Sequence, residues 1–226
     1  MKFFTEPEFA APAGAPYSRR TFVGRLVAAS GALVFLPAVL ERAGLTDEAA
    51  AATPDLVTDT FNGLVAFVVP GPDAYSVAQG ESTPEPGGID AYATPALIQG
   101  IGFASPFPPD LAGTVATLLN TAAQIVNPAS AAGGFASPFA NLSFAEKAGA
   151  LAVLENADPF AQLRSLFGVL PSIVAFLAYS EVGVFDPATR TLVARPVGWD
   201  LSSYEGVADG RDAFIGYFEN RRRVDA

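Results

Sequence analysis

Between Ala91 and Ala145 the chain carries one charged residue, Asp110, in fifty-five positions. Exposed helices and loops of a soluble domain ordinarily carry far more charge than this. A tract so poor in charge has two ways to be covered: it can plug the chain's own core, or it can meet another protein. Four phenylalanines stand in it, in two nearly duplicate strings: Gly102-Phe103-Ala104-Ser105-Pro106-Phe107 and Gly134-Phe135-Ala136-Ser137-Pro138-Phe139. Sequence alone leaves the two explanations open.

Helical signals frame the tract. Thr53-Pro54-Asp55 is a helix start, and Leu56, Phe61, Leu64 and Phe67/Val68 follow at near-helical spacing until Pro70-Gly71-Pro72. Residues 70–95 are rich in proline and glycine and read as one long loop. Asp110–Val126 places Leu111, Val115, Leu118, Leu119, Ala122, Ile125 and Val126 on one face, which predicts an amphipathic helix. Its other face is Thr114, Thr117, Asn120, Thr121 and Gln124. Ser143 with Glu146 forms a capping box that opens a helix to about Asn156. Asp158-Pro159 opens another, with an apolar stripe of Phe160, Leu163, Leu166, Phe167, Leu170, Val174 and Leu177, and with Pro171 expected to kink it. Val182–Val193 reads as a small hairpin, Arg195–Trp199 as irregular chain, and Asp212–Phe218 as a short closing helix. The fold expected is mainly α: an irregular helical domain with long Pro/Gly loops and at most a small β-hairpin.

The N-terminus reads differently. Ser18-Arg19-Arg20-Thr21-Phe22-Val23 precedes the uncharged run Leu26–Leu40. A bilayer-spanning helix needs about 20 apolar residues, so this run suits the apolar region of a signal peptide. The Ser-Arg-Arg-x-Phe-Val order resembles the twin-arginine export signal, a receptor-read address. Residues 1–52 are therefore expected to be the signal region, with Ser18, Arg19, Arg20, Phe22 and Val23 carrying it and the twin-arginine translocase reading it. Small residues at Ala49–Ala52 offer a cleavage site, and retention as an anchor is the alternative. Membrane contact is expected only through this region, and the destination is the periplasm, cell envelope or exterior.

Residues 53–226 are expected to form one helical domain. They hold eight basic and eighteen acidic side chains, so the net charge of −10 lies entirely there. Such a surface repels phosphate backbones, and no nucleic-acid partner is expected. The chain has no cysteine and no histidine. Disulfides, thiolate nucleophiles, imidazole bases and the usual haem and zinc ligands are thereby excluded. Carboxylates, hydroxyls, Lys147 and some arginines remain. Asp55/Asp59 and Asp209/Asp212 converge on no nucleophile, the acids of the 70–95 loop lack the cadence of a calcium loop, and no dinucleotide fingerprint is present.

The order of features resembles a known family. A twin-arginine signal leads to a helix ending in Phe67-Val68-Val69-Pro70-Gly71. A proline/glycine loop reaches Gly87-Gly88-Ile89-Asp90, and helices with Phe-x-x-Leu patterns follow, such as Phe160-Ala161-Gln162-Leu163. Together these resemble the small subunit (subunit 3, or gamma) of gluconate 2-dehydrogenase and related sugar dehydrogenases. The tail Arg195–Arg223 has no counterpart in that pattern. The resemblance implies a non-catalytic accessory subunit that carries neither flavin nor haem. Its partner would be a large flavoprotein oxidoreductase of the glucose–methanol–choline type, exported with it. A stand-alone exported binding or structural domain is the alternative. The contact surface expected for a partner comprises Phe103, Phe107, Phe135 and Phe139, the polar face residues Thr117 and Asn120, and the tail aromatics Trp199 and Tyr204.

Overall fold

A computed structural model describes residues 52–103, 111–156 and 163–204, together with Glu41 and Gly44. The signal residues Ser18, Arg19, Arg20, Phe22 and Val23 lie outside the described residues, as do Phe107, the helix start at 158–159 and the closing segment 212–218.

The protein is mainly helical. Helix α1 spans Pro54–Val68, α2 Ala74–Gln79, α3 Ala93–Phe103 and α4 Leu111–Val126. A 3₁₀ turn at Pro128–Ala132 leads into α5, Phe144–Asn156, and then α6, Arg164–Ala178. Strands β1 (Phe185–Asp186) and β2 (Thr191–Leu192) pair antiparallel with Phe185 opposite Leu192, and α7 spans Val197–Leu201.

Local chemistry sets these boundaries. Thr53 caps α1, its hydroxyl accepting from the Leu56 amide at 3.3 Å, with proline in the first turn. The expected capping box closes α5: the Ser143 amide donates to Glu146 Oε2 at 2.9 Å, and the Glu146 amide returns to Ser143 Oγ at 3.4 Å. Those bonds hold the Glu146 carboxyl below its usual range. In the hairpin turn, Asp186 accepts from the Ala188 amide and the Thr189 hydroxyl, both at 2.8 Å.

The chain read as one loop between 70 and 95 is more ordered than its composition suggests. Asp73 caps α2 through the amides of Tyr75 and Ser76, and Gly80 closes it in the left-handed region at φ 87°. The loop returns on itself where Gly71 meets Gly87. A Cβ on Gly87 would stand 2.7 Å from the Gly71 nitrogen, and one on Gly71 would stand 2.5 Å from the Gly87 nitrogen. The Gly88 amide donates to Val69 O at 2.9 Å beside this crossing. Gly87→Ala should therefore lower stability by about 1–3 kcal/mol, because backbone rather than a movable side chain must give way. Urea denaturation of the variant measures this, and an unchanged midpoint would mean that the two strands of the loop do not cross here.

Helix α4 lies at the centre. It packs against α1, α3 and α5, while α6 closes over α1, α3 and α5. Phe61, Leu64, Val115, Leu118, Leu119, Phe139, Leu142, Leu154, Phe167 and Leu170 are fully buried among these helices. Twelve residues of α4 are buried, including Thr114, Thr117 and Asn120. The expectation that Thr117 and Asn120 lie away from the protein's own core is thus corrected: both are buried with Thr114, while Thr121 is half-buried and Gln124 exposed. Small neutral polar side chains can be buried when hydrogen bonds replace water. The low charge of the tract is, in its α4 part, the low charge of a core. One further reading is corrected: Arg195–Trp199 is not irregular throughout, since α7 begins at Val197. Pro171 lies inside α6, which continues past it to Ala178.

Candidate functional site

Phe139, expected at a partner interface, is fully buried in the protein's own core. Asn120 is buried as well, and its amide is used internally. Its Oδ1 accepts from Ser137 Oγ at 2.7 Å and from the Phe139 amide at 3.0 Å, and its Nδ2 donates to Thr60 Oγ1 at 3.0 Å. Thr60 donates to Leu56 O at 2.6 Å, and the Ala140 amide donates to Ser137 Oγ at 3.2 Å. The cluster ties α1, α4 and the 134–140 turn together. Phe135 is half-buried and stacks on Tyr75 with ring centroids 4.3 Å apart. Asp59 joins the same wall, taking Tyr75 Oη at 2.6 Å and the Ala136 amide at 2.8 Å. Burial, and then the Asp59 hydrogen bond, push the Tyr75 phenol up to about 12. Phe103 ends α3, and its side chain lies outside the description.

Above this cluster runs a groove of about 530 Å³ lined by Leu56, Thr117, Asn120, Thr121, Gln124, Ile125, Ala136 and Pro138. None of these side chains is charged. Thr117 and Asn120 thus border an accessible space after all, as the floor of a groove and not as an open helix face.

Trp199 and Tyr204 pack edge to face, with centroids 5.1 Å apart, and the Arg195 guanidinium lies 5.7 Å over the Trp199 ring. Arg195 also pairs with Asp200 at 2.6 Å and donates to Tyr204 O at 2.6 Å. This folds the start of the tail into a small cap, on which Tyr204 stays exposed.

A further set of exposed apolar side chains was not among the expected residues. Phe176 and Tyr179, one turn apart near the end of α6, are exposed at 64% and 50%, and Val193 beyond β2 at 71%. Val182 and Phe185 are exposed in the chain between them. Tyr92, 58% exposed, holds φ at 59°, a conformation that costs a bulky residue energy. Gly183 lies directly against its ring, so the hairpin segment and the start of α3 share this end of the molecule. The available sequence signal was the recurrence of Phe, Tyr and Val between 176 and 193.

Lys147 is the one basic side chain buried in the core among the described residues. It is fully buried, and its Nζ donates to Gln79 Oε1 at 2.8 Å and to Gly63 O at 3.0 Å. Gln79 in turn donates to Ala66 O at 2.8 Å. Burial holds the Lys147 amine down at about 8, against a weaker opposing pull from Asp73. Its two hydrogen bonds make it a clamp between α5, α1 and α2.

Among the described residues, no group of three acidic side chains could hold a metal ion, and no helix is long and apolar enough to cross a membrane. No family model, no curated protein and no solved structure matches this chain.

Proposed function

We propose that this chain is a non-catalytic accessory subunit, exported by the twin-arginine route together with a large flavin-dependent oxidoreductase that it binds and stabilises. The observation that carries the reading is the exposed apolar end formed by Tyr92, Phe176, Tyr179, Val182, Phe185 and Val193. Aromatic and aliphatic side chains gathered at one end of an otherwise acidic molecule suit a surface that another protein covers. The residue inventory supports the same reading, because a chain without cysteine or histidine has few groups for redox or acyl-transfer chemistry of its own. The twin-arginine route carries folded proteins, which suits a partner that must load its flavin before export.

The test is co-purification from the exporting host. The tagged chain should elute with a larger polypeptide that carries the flavin absorbance, and free chain should be colourless. Phe176→Asp combined with Val193→Asp should reduce the flavin recovered about ten-fold or more, a loss of about 1.4 kcal/mol, while leaving thermal melting unchanged. Arg19→Lys with Arg20→Lys should leave both polypeptides in the cytoplasm, since lysine lacks the planar guanidinium fork. A coloured free chain, or export without the arginine pair, would defeat the proposal.

A further inference from the structure

The described chain ends at Tyr204, beside the exposed apolar end of the molecule. Helix α7 is seated on the C-terminus of α6: a Cβ on Gly198 would stand 2.6 Å from the Tyr179 Cα. The Ser202 amide donates to Gly198 O at 3.1 Å and the Tyr204 amide to Trp199 O at 2.7 Å, so the chain stays on α7 as far as Tyr204. Residues 205–226 therefore start close to Tyr179, which is exposed, as is Val182 after it.

The sequence of that tail supplies an occupant for this face. Phe214, Ile215, Tyr217 and Phe218 fall within five positions, and at helical spacing they share one side. Large apolar side chains on a tail and an exposed apolar face each call for cover. Residues 205–213 connect the two, and nine residues reach at most about 30 Å. So short a connection holds the tail at this face at an effective concentration on the order of mM, an advantage that a separate occupant lacks. Charge acts in the same direction. Arg221-Arg222-Arg223 follows the apolar cluster in a chain of net charge −10, and Glu181 is exposed between Tyr179 and Val182.

We propose that the chain's own tail docks Phe214, Ile215 and Phe218 on the Tyr179 side of the apolar end, leaving Phe176 and Val193 to a partner. The docking stands apart from the accessory-subunit reading, which co-purification tests separately. The chain has no cysteine, so Glu219→Cys gives a single site for a nitroxide label on the full, ¹⁵N-labelled chain. Amide broadening should be about three-fold or more stronger at residues 179–185 than at 164–167, the other end of α6, about 20 Å away. Phe214→Asp with Phe218→Asp should cut the broadening at 179–185 about three-fold or more, because a carboxylate is not repaid in an apolar contact. Tyr179→Ser should do the same from the receiving side. Broadening no stronger at 179–185 than at 164–167, or unchanged in both variants, would overturn the proposal. So would equal broadening of an unlabelled ¹⁵N chain mixed with nitroxide-bearing ¹⁴N chain, which would make a second copy's tail the occupant.

Discussion

Raising the pH from about 8 to about 10 should stabilise this protein by about 2 kcal/mol, and Lys147→Met should abolish the gain. The folded Lys147 amine loses its proton near 8, against 10.5 for a free lysine. Between those values the unfolded chain binds a proton that the folded chain does not, so stability rises with pH, by about 1.4 kcal/mol for each pH unit. The cause is burial: the ammonium is fully enclosed, and it has two neutral acceptors and no carboxylate in contact. Lys147 and Lys2 are the only lysines in the chain, so few other groups blur the window. Tyr75 acts in the opposite sense above pH 10. Its folded value near 12 exceeds the free phenol's 10.0, so ionisation of the unfolded chain then erodes stability. The expected profile rises through pH 9, peaks near 10 and falls. Lys147→Met should flatten the rise, and Tyr75→Phe should soften the fall. Urea midpoints across the series measure both, and a flat profile in the parent would mean that Lys147 is not enclosed as described. Lys147→Ala should lose about 3–5 kcal/mol at neutral pH, because it leaves a cavity as well as the unpaired Gln79 carbonyl.

That lysine was readable in principle. Positions 147, 150, 151 and 154 are the buried stripe of α5, and Lys147 interrupts the alanines and leucines of that stripe. A charge at an apolar register position is a local signal, and the register of α5 follows from its capping box. The helices α1, α4 and α5 and the hairpin were legible for similar reasons, since caps and periodicity are short-range properties. α2 was hidden because prolines and glycines between 70 and 95 read as loop, although Asp73 and Gly80 are ordinary start and stop residues. The face of Thr117 and Asn120 was misjudged for a different reason. Threonine and asparagine look outward on a helical wheel, and what turns them inward is a partner distant in sequence. Asn120 bonds Thr60, sixty positions away, and Ser137, seventeen away. No window along the chain contains that information.

Asn120→Ala should therefore be among the most damaging single changes in the protein, at roughly 3–5 kcal/mol. Three hydrogen bonds disappear with the amide, each contributing about 1 kcal/mol. The greater loss comes from the groups left behind. The Phe139 amide and the Ser137 hydroxyl face an apolar surround, and an orphaned buried donor costs about 1–3 kcal/mol. Water can relieve part of this through the groove, so the upper end of the range requires that water not reach Phe139. Asn120→Asp keeps the acceptor for Ser137 and Phe139, replaces the donor to Thr60 with an oxygen, and buries a carboxylate. It should lose stability progressively as the pH rises and the carboxylate ionises. Thr117→Glu should also destabilise the isolated chain, since a charge enters a site that is only 6% exposed. Thr117→Val, which removes an unbonded hydroxyl, should be nearly neutral. The ordering Asn120→Ala well below Thr117→Val in melting temperature is the result that the buried cluster requires. Equal melting of the two would place Asn120 in solvent and return the polar face of α4 to the surface.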